Sequence, residues 1–529
     1  MATTQQPEQT AVGAAPFSMG AILGPLIAII IGIFMVVLDS TAVNVALPKL
    51  VTDFHSTLST LQWTITGYAL AQAAVIPLAG WLSDRFGAKW VFLASVALFT
   101  MGSVLCATAR NGEMLIAFRV VQGLGGGCVL PVAMAYIYRL SPPEKVGAVM
   151  GMMGIPILLA PAIGPVLGGW LVEYQSWRWI FLLNLPVGII GLLVGMRSLP
   201  AIGRQAVALL DVPGAILGPL AFAALSYGVS SGATSWTSRE TLGGLIIGGV
   251  ALLAFIAVEL RAKNPLLELR VFRSLDFNLA IMVQWVGQFA LFGALFLVPL
   301  FLQQLRGYGA FDTGLYLLPQ AIAAAVCMPI GGMLFDRIGA RPLVVLGLGI
   351  VAGATFLLSQ VGVATKGGDL ILPLAMNGAG MGLMMMPLNT HLLNAAPRHL
   401  VSRVTSLTNA LQQVVNSLSI AGLATILTSR TTGHITAARA GVMAHYPQAA
   451  NVPPSAWPKA VAARIGQEMQ VAGGKAFALA FDDTFHVMVV AAVISALMGL
   501  LLRRNLAAQQ ARAATPVGAA ESAPSMMFG

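Results

Sequence analysis

Apolar stretches of about 20 residues or more recur along nearly the whole chain, each long enough to cross a ~30 Å hydrocarbon core as a helix. Inside lipid every backbone N–H and C=O needs a partner within the protein, which leaves helices or a closed barrel. Barrel strands would show short apolar–polar alternation, and the chain has none. Fourteen spans are therefore expected: 19–47, 58–82, 89–108, 112–138, 146–172, 178–199, 212–231, 241–260, 277–303, 312–335, 342–361, 369–393, 402–428 and 485–502. Composition agrees, with 57% hydrophobic and 9% charged residues, where soluble domains carry roughly 25% charge. The first span is too long for a cleaved signal peptide, lacks a small-residue cleavage site and carries Asp39 near its end.

The chain also repeats itself. Residues 80–89 read GWLSDRFGAK and residues 332–341 read GMLFDRIGAR, a constant 252 positions apart. Eight expected spans separate the copies, an even number, so both hairpins face the same side. Halves of equal orientation are related by an axis along the membrane normal, a plan typical of secondary transporters. The expected fold is an all-α polytopic membrane protein with 6 + 2 + 6 spans. Residues 1–18 form a tail, 19–199 the N-terminal six-helix bundle, and 200–276 two inserted spans with a linker. Residues 277–502 form the C-terminal bundle, with an extracytoplasmic loop at 429–484 that holds a candidate amphipathic helix around 459–481, and 503–529 form a second tail.

Charge orients this arrangement. Of 29 Lys and Arg, the short loops on the side opposite the hairpins hold six: Lys49, Arg110, Arg178, Arg239, Arg306 and Lys366. The positive-inside rule then places both termini and both hairpins in the cytoplasm of a bacterial inner or plasma membrane. The net charge of +10 reads as this topology signal plus a match to anionic lipid. A nucleic-acid partner would need a basic soluble face, and none is present. Cys106, Cys128 and Cys327 fall inside spans, with no disulfide or metal spacing.

Asp39 is the acid placed well within a span. An intramembrane carboxylate costs about 2.5–3.5 kcal/mol on insertion scales, so it should face a cavity and have a partner. Burial disfavours the charged form of a carboxyl group, so one placed here can take a proton from one side and release it to the other. Arg119, in AFRVVQGLGGG (117–127), is the corresponding intramembrane base, with Gln122 and Gly123 one turn on. These two residues are the expected proton-coupling pair; a buried ion pair that only orders helices is the plainer alternative. The repeated hairpins supply an expected cytoplasmic gate from Gly80, Asp84, Arg85, Gly87, Asp336, Arg337, Gly339 and Arg341. Residues 151–170 hold three prolines among Gly151, Gly154, Gly164, Gly168 and Gly169, and should bend. Candidates for lining a central cavity are Asn44, Trp63, Tyr68, Gln72, Gln122, Gln284, Trp285, Gln288, Asn377, Met385, Asn389 and Gln413. Such amides, aromatics and methionines suit bulky amphiphiles, although helix–helix hydrogen bonding accounts for any one of them equally well. No nucleotide motif is present, so no enzyme activity, metal or cofactor is expected, and the proton motive force would supply the drive.

These residues resemble the Major Facilitator Superfamily, and within it the fourteen-span drug:proton antiporters of the EmrB/QacA type. Residues 38–48 (LDSTAVNVALP) are similar to the first-helix motif with its embedded Asp39, and 80–90 to the cytoplasmic loop motif. Residues 119–127 are similar to the RxxQGxG motif whose Arg is tied to proton transfer. Residues 151–169 resemble the antiporter motif (here Gly151, Gly164, Pro165, Gly168 and Gly169), and 176–188 the sixth-helix segment of this branch. Ala160, Gly127 and Ala88 depart from the usual Gly, Ala and basic residue. The resemblance implies a proton-coupled antiporter that exports amphiphilic compounds by alternating access. In double-membraned hosts a periplasmic adaptor and an outer-membrane channel would join it. The alternatives are a lipid, envelope-precursor or metabolite exporter of the same fold, or a non-transporting membrane sensor.

Overall fold

A computed structural model describes residues 19–142, 145–201, 211–232, 235–262, 265–362, 365, 367–394, 400–446 and 459–502. Expectations for the two tails and for Lys366 fall outside these residues. The described residues contain 14 helical spans long and apolar enough to cross a membrane. The first half comprises α1 (Met19–Asp53), α2 (Leu58–Phe86), α3 (Ala88–Thr108), α4 (Gly112–Leu140), α5 (Val146–Tyr174), α6 (Arg178–Leu182) and α7 (Asn184–Ser198). The inserted pair is α8 (Val212–Gly232) and α9 (Arg239–Arg261). The second half comprises α10 (Leu275–Gln304), α11 (Ala310–Ile338), α12 (Ala340–Ser359), α13 (Ile371–Asn394), α14 (Val401–Ala444) and α15 (Lys459–Gly499). Helices α6 and α7 cross the membrane as one span, Arg178–Ser198. They meet at Leu183, where Pro186 lacks the N–H that would continue the ladder.

Local chemistry fixes the helix ends. Asn111 Oδ1 accepts from Met114 N at 2.8 Å to start α4, and Ser238 Oγ accepts from Thr241 N at 3.1 Å to start α9. Both repeated hairpins turn on a glycine with positive φ: Gly87 at 91° and Gly339 at 79°. A side chain there would be strained, which is why each copy needs Gly at that position.

Within the first half α4 packs on α2 and α3, and α1 on α5 and α7. Within the second, α13 packs on α11 and α12, and α15 on α12, α14 and α10. The halves meet along two seams, α5 with α11 and α2 with α14. The inserted α8 packs on α9 and also on α2 and α14, so it rests against one helix of each half.

The outer segment 429–484 has the helix expected around 459–481 and, beyond that expectation, a continuation of α14. α14 runs on to Ala444, and α15 begins at Lys459. The two extensions pair beyond the spans through buried Val442 and Ile465, with Met443, Tyr446, Val461 and Met469 around them. Sixteen residues past position 428 carry α14 about 24 Å further. His434 Nε2 lies 2.9 Å from Asp483 Oδ2 between the extensions, and Tyr446 Oη donates to Glu468 Oε1 at 2.7 Å near the tip.

Candidate functional site

At the hairpin end the two seams close through glycine and carboxylate. A Cβ on Gly332 would lie 2.1 Å from Gly147 O, and one on Gly80 would lie 2.8 Å from Ser402 O. The first glycine of each hairpin thus lets its helix touch the backbone of the opposite half. One turn on, each hairpin carries its aspartate. Asp336 accepts from Gly147 N at 2.9 Å and Ala148 N at 3.0 Å, so its carboxylate caps the exposed donors of the α5 N-terminus. Asp84 accepts from Arg139 Nη2 at 2.9 Å and lies 3.7 Å from Arg403 Nε of α14. Tyr138 Oη donates to Asn394 Oδ1 at 2.6 Å across the same end. Arg85, Arg337 and Arg341 are exposed. Arg341 borders an apolar cleft with Pro342, Val345 and Leu500, away from both seams.

Between the halves lies a cavity of about 770 Å³. Its lining runs from Met386, Asn389 and Asn409 in the bundle interior to Asn44, Gln303 and Thr313 near the end opposite the hairpins. Asn44, Gln72, Gln288, Met385, Asn389 and Gln413 are therefore on its wall. Six other candidates lie elsewhere. Trp63 stacks on Tyr227 of α8 with ring centroids 5.8 Å apart, so it belongs to the contact with the inserted pair. Gln284 Nε2 donates to Asn389 Oδ1 at 2.9 Å from behind the wall. Asn377 Oδ1 accepts from Gln320 Nε2 at 3.0 Å, joining α13 to α11. Trp285 packs against the main apolar core. Tyr68 and Gln122 belong to the charge cluster of the first half.

That cluster is built around Asp39. Its Oδ2 accepts from Arg119 Nη1 at 2.5 Å, and its Oδ1 accepts from Gln122 Nε2 at 3.0 Å and Asn184 Nδ2 at 2.9 Å. Arg119 also donates from Nη1 to Gln122 Oε1 at 2.8 Å and from Nε to Thr64 O at 3.1 Å. Its guanidinium lies 3.8 Å from the centroid of the Tyr68 ring, a cation–π contact in a dry setting. Both Asp39 and Arg119 are 1% exposed. The close approach that makes this possible comes from the glycines after Arg119. A Cβ on Gly123 would meet Tyr68 O at 2.6 Å, and one on Gly125 would meet Phe99 N at 2.5 Å. Glycine thus lets α4 press on α2 and α3 at once.

Every neighbour bonded to the Asp39 carboxylate is a donor, an arrangement that fits the ionised form. Gln72 Nε2 donates to Tyr68 Oη at 3.0 Å, which joins the cavity wall to the ring under Arg119. Asn184 is the member missed from sequence alone. It donates to Ser103 Oγ as well as to Asp39, and its one visible signal is an amide set in the apolar run WIFLLNLPVG.

The glycines of α5 place α1. A Cβ on Gly164 would meet Thr41 Oγ1 at 2.0 Å, and one on Gly168 would meet Ala42 O at 2.8 Å. Gly169 has more room, 3.7 Å from Val45, and Pro165 lines the cavity. Gly151 faces Met328 O of α11 at 2.7 Å by the same measure. Despite Pro156, Pro161 and Pro165, α5 is a single continuous helix.

Comparison with known proteins agrees with this architecture. Residues 29–420 match the family model described as Major Facilitator Superfamily. The chain is 40% identical over 398 residues to a "Multidrug resistance protein B homolog" of Mycobacterium tuberculosis, covering 74% of this chain and 73% of the relative. It is 38% identical over 410 residues to the uncharacterized MFS-type transporter YhcA of Bacillus subtilis, covering 77% of each. It is 33% identical over 405 residues to the lincomycin resistance protein LmrB of Listeria monocytogenes, covering 76% and 85%. Among solved structures, the proton:xylose symporter XylE superposes with a TM-score of 0.60 at 14% identity, over 94% of this chain and 99% of that one. The human organic anion transporter MFSD10 gives 0.58 at 15%, over 88% and 98%. The chain belongs to the Major Facilitator Superfamily of membrane transporters.

Proposed function

We propose that the protein is a proton-coupled antiporter that exports amphiphilic compounds, with both hairpins at the cytoplasmic face. The observation that carries this reading is the Asp39–Arg119 pair, buried behind the cavity wall and tied to it through Tyr68 and Gln72. The described conformation is closed at the hairpin end, and its cavity reaches towards the opposite end, which suits substrate release and proton uptake there. A proton reaching Asp39 removes the charge that holds Arg119. The cluster then relaxes, and closure at the hairpin end gives way to closure at the other. Names given to relatives, multidrug resistance and lincomycin resistance, support export of drug-like solutes. Drive comes from about 2.3 kcal/mol per charge per 100 mV and about 1.4 kcal/mol per pH unit.

The test uses everted membrane vesicles with an imposed pH gradient and an added substrate. Wild-type protein should release protons in response to substrate, and Asp39→Asn should abolish that release. Release unchanged in Asp39→Asn would remove Asp39 from the coupling step.

A further inference from the structure

The described walls of the central cavity are largely apolar, and their polar groups carry no charge. Among the described residues that line it, none is Asp, Glu, Lys, Arg or His, whereas nine are Asn or Gln, so its polarity is mostly amide, with hydroxyls from Ser40, Thr41 and Thr313. Asp39 and Arg119 sit behind the wall and neutralise each other. The amides are not spread evenly. Asn409, Gln412, Gln413 and Asn416 follow one another at helical spacing on one face of α14. The lining from α5 and α11 is largely apolar, with Ile157, Pro161 and Leu317, and α10 adds Leu295, Phe296 and Leu300 beside its Gln288 and Gln303.

Some of the amides are already engaged. Asn409 Nδ2 donates to Thr405 O at 2.8 Å, and Asn416 Oδ1 accepts from Gln288 Nε2 at 3.1 Å. Gln412 and Gln413 make no side-chain hydrogen bond among the described residues. Each therefore presents two donors and a carbonyl acceptor to the cavity.

We infer that this cavity takes uncharged amphiphiles with hydroxyl or amide groups along one edge, and that it discriminates against permanent organic cations. A primary amide matches a hydroxyl or a second amide in either direction. A cation that leaves water for this site loses hydration and meets no opposite charge, so nothing offsets its desolvation. The apolar wall covers the other side of the solute. The inference rests on the antiport reading for direction of transport and adds the substrate class. It also has an electrical consequence: exchange of a neutral solute for a proton moves net charge, so membrane potential alone should drive export.

The test measures binding to the full-length protein in lipid nanodiscs. Chloramphenicol and linezolid are the uncharged probes, and tetraphenylphosphonium is the permanent cation. Wild type should bind an uncharged probe at least about tenfold more tightly than the cation, the scale set by one missing charge partner. Gln413→Glu, with Gln412→Glu as a second variant should the first fail to fold, should raise cation affinity about 10- to 1,000-fold, as a new opposite charge nearby does. Equal or tighter binding of tetraphenylphosphonium by wild type would overturn the proposal, as would cation binding unmoved by a folded Glu variant. Liposome transport under an imposed potential separates the two readings. Selective binding without proton-driven transport would refute antiport and leave the substrate class standing.

Discussion

Gly332→Ala tests whether the hairpin glycines seal one end of the transporter. The added Cβ would lie 2.1 Å from Gly147 O, 2.8 Å from Gly147 C and 3.1 Å from Gly151 Cα. All three are backbone or Cα atoms of α5, so no flexible side chain can turn away. The helices must separate by about 1 Å or more to restore ordinary contact, and over-packing of this kind costs about 1–3 kcal/mol. The contact joins opposite halves, so the penalty falls on the hairpin-closed state and vanishes once that end opens. A bias of 1–3 kcal/mol shifts a two-state equilibrium about 5- to 150-fold towards the open form. Gly349→Ala on α12 is the control, because a Cβ there meets nothing within 4 Å. Spin labels on the exposed Arg85 and Arg337 positions would report the distance across the hairpin end by electron paramagnetic resonance. Gly332→Ala should broaden or lengthen that distribution and Gly349→Ala should leave it alone. Identical distributions in the two variants would refute the seal.

The two hairpin aspartates should differ in cost. Asp84→Asn leaves Arg139 and Arg403 facing each other at a buried site, and thermal unfolding should show a loss of about 3–5 kcal/mol. Asp336→Asn keeps one acceptor for the α5 N-terminus and should lose about 0.5–2 kcal/mol; equal losses would contradict the assigned roles. Arg119→Lys cannot reach Asp39, Gln122 and Thr64 O together, so it should uncouple proton from substrate movement although the charge is kept. In the double variant Asp39→Asn/Arg119→Gln, stability should exceed that of either single variant, because no charge is left unpaired; a simple sum of the single losses would argue against a coupled pair. At the tip of the helical extension, the hydrogen bond to Glu468 holds the Tyr446 phenol above its usual pKa. That contact is fully present below the ordinary tyrosine value of about 10 and is lost as pH rises through the raised one. Tyr446→Phe should speed amide exchange around residues 442–469 at neutral pH, and no change would show the bond to be incidental.

The spans were legible because lipid imposes one demand on every backbone group, and hydropathy reports where that demand applies. It does not report where a helix stops. α14 leaves the apolar zone near position 428 yet runs on to Ala444, because TTGHITAARAGVMA loses hydropathy without containing proline. Hence the sequence marks the helix around 459–481 but not the extension of α14 that pairs with it. At the site, Asp39 and Arg119 stood out as ionisable groups within apolar runs. Asn184 did not, since an amide costs less to bury and so marks itself less. The cavity list was harder to read for a geometric reason. Trp63 and Gln72 lie on the same span, but one turns to α8 and the other to the cavity, and sequence periodicity does not say which neighbour a given face meets.

The Asp39–Arg119 pair lies within one half and the cavity between both, so on the antiport reading the coupling between them would be mechanical. Helix α1 supplies the first link: Asp39 enters the charge cluster, and the next residues, Ser40 and Thr41, line the cavity. The second link is the contact of Gly164 and Gly168 of α5 with Thr41 and Ala42, one turn or less from Asp39. The third is α5 itself, a helix of 29 residues and therefore about 43 Å long. Its far end begins at Val146, where Asp336 of the opposite half caps Gly147 and Ala148. On the antiport reading, a shift of α1 that follows loss of the Asp39–Arg119 bond would be passed by close-packed backbone to the hairpin seal. Side chains at Gly164 or Gly168 would force α1 and α5 apart and slacken that linkage, which gives the glycines a function beyond close packing. On the same reading the second half would be held at Asp336 and released.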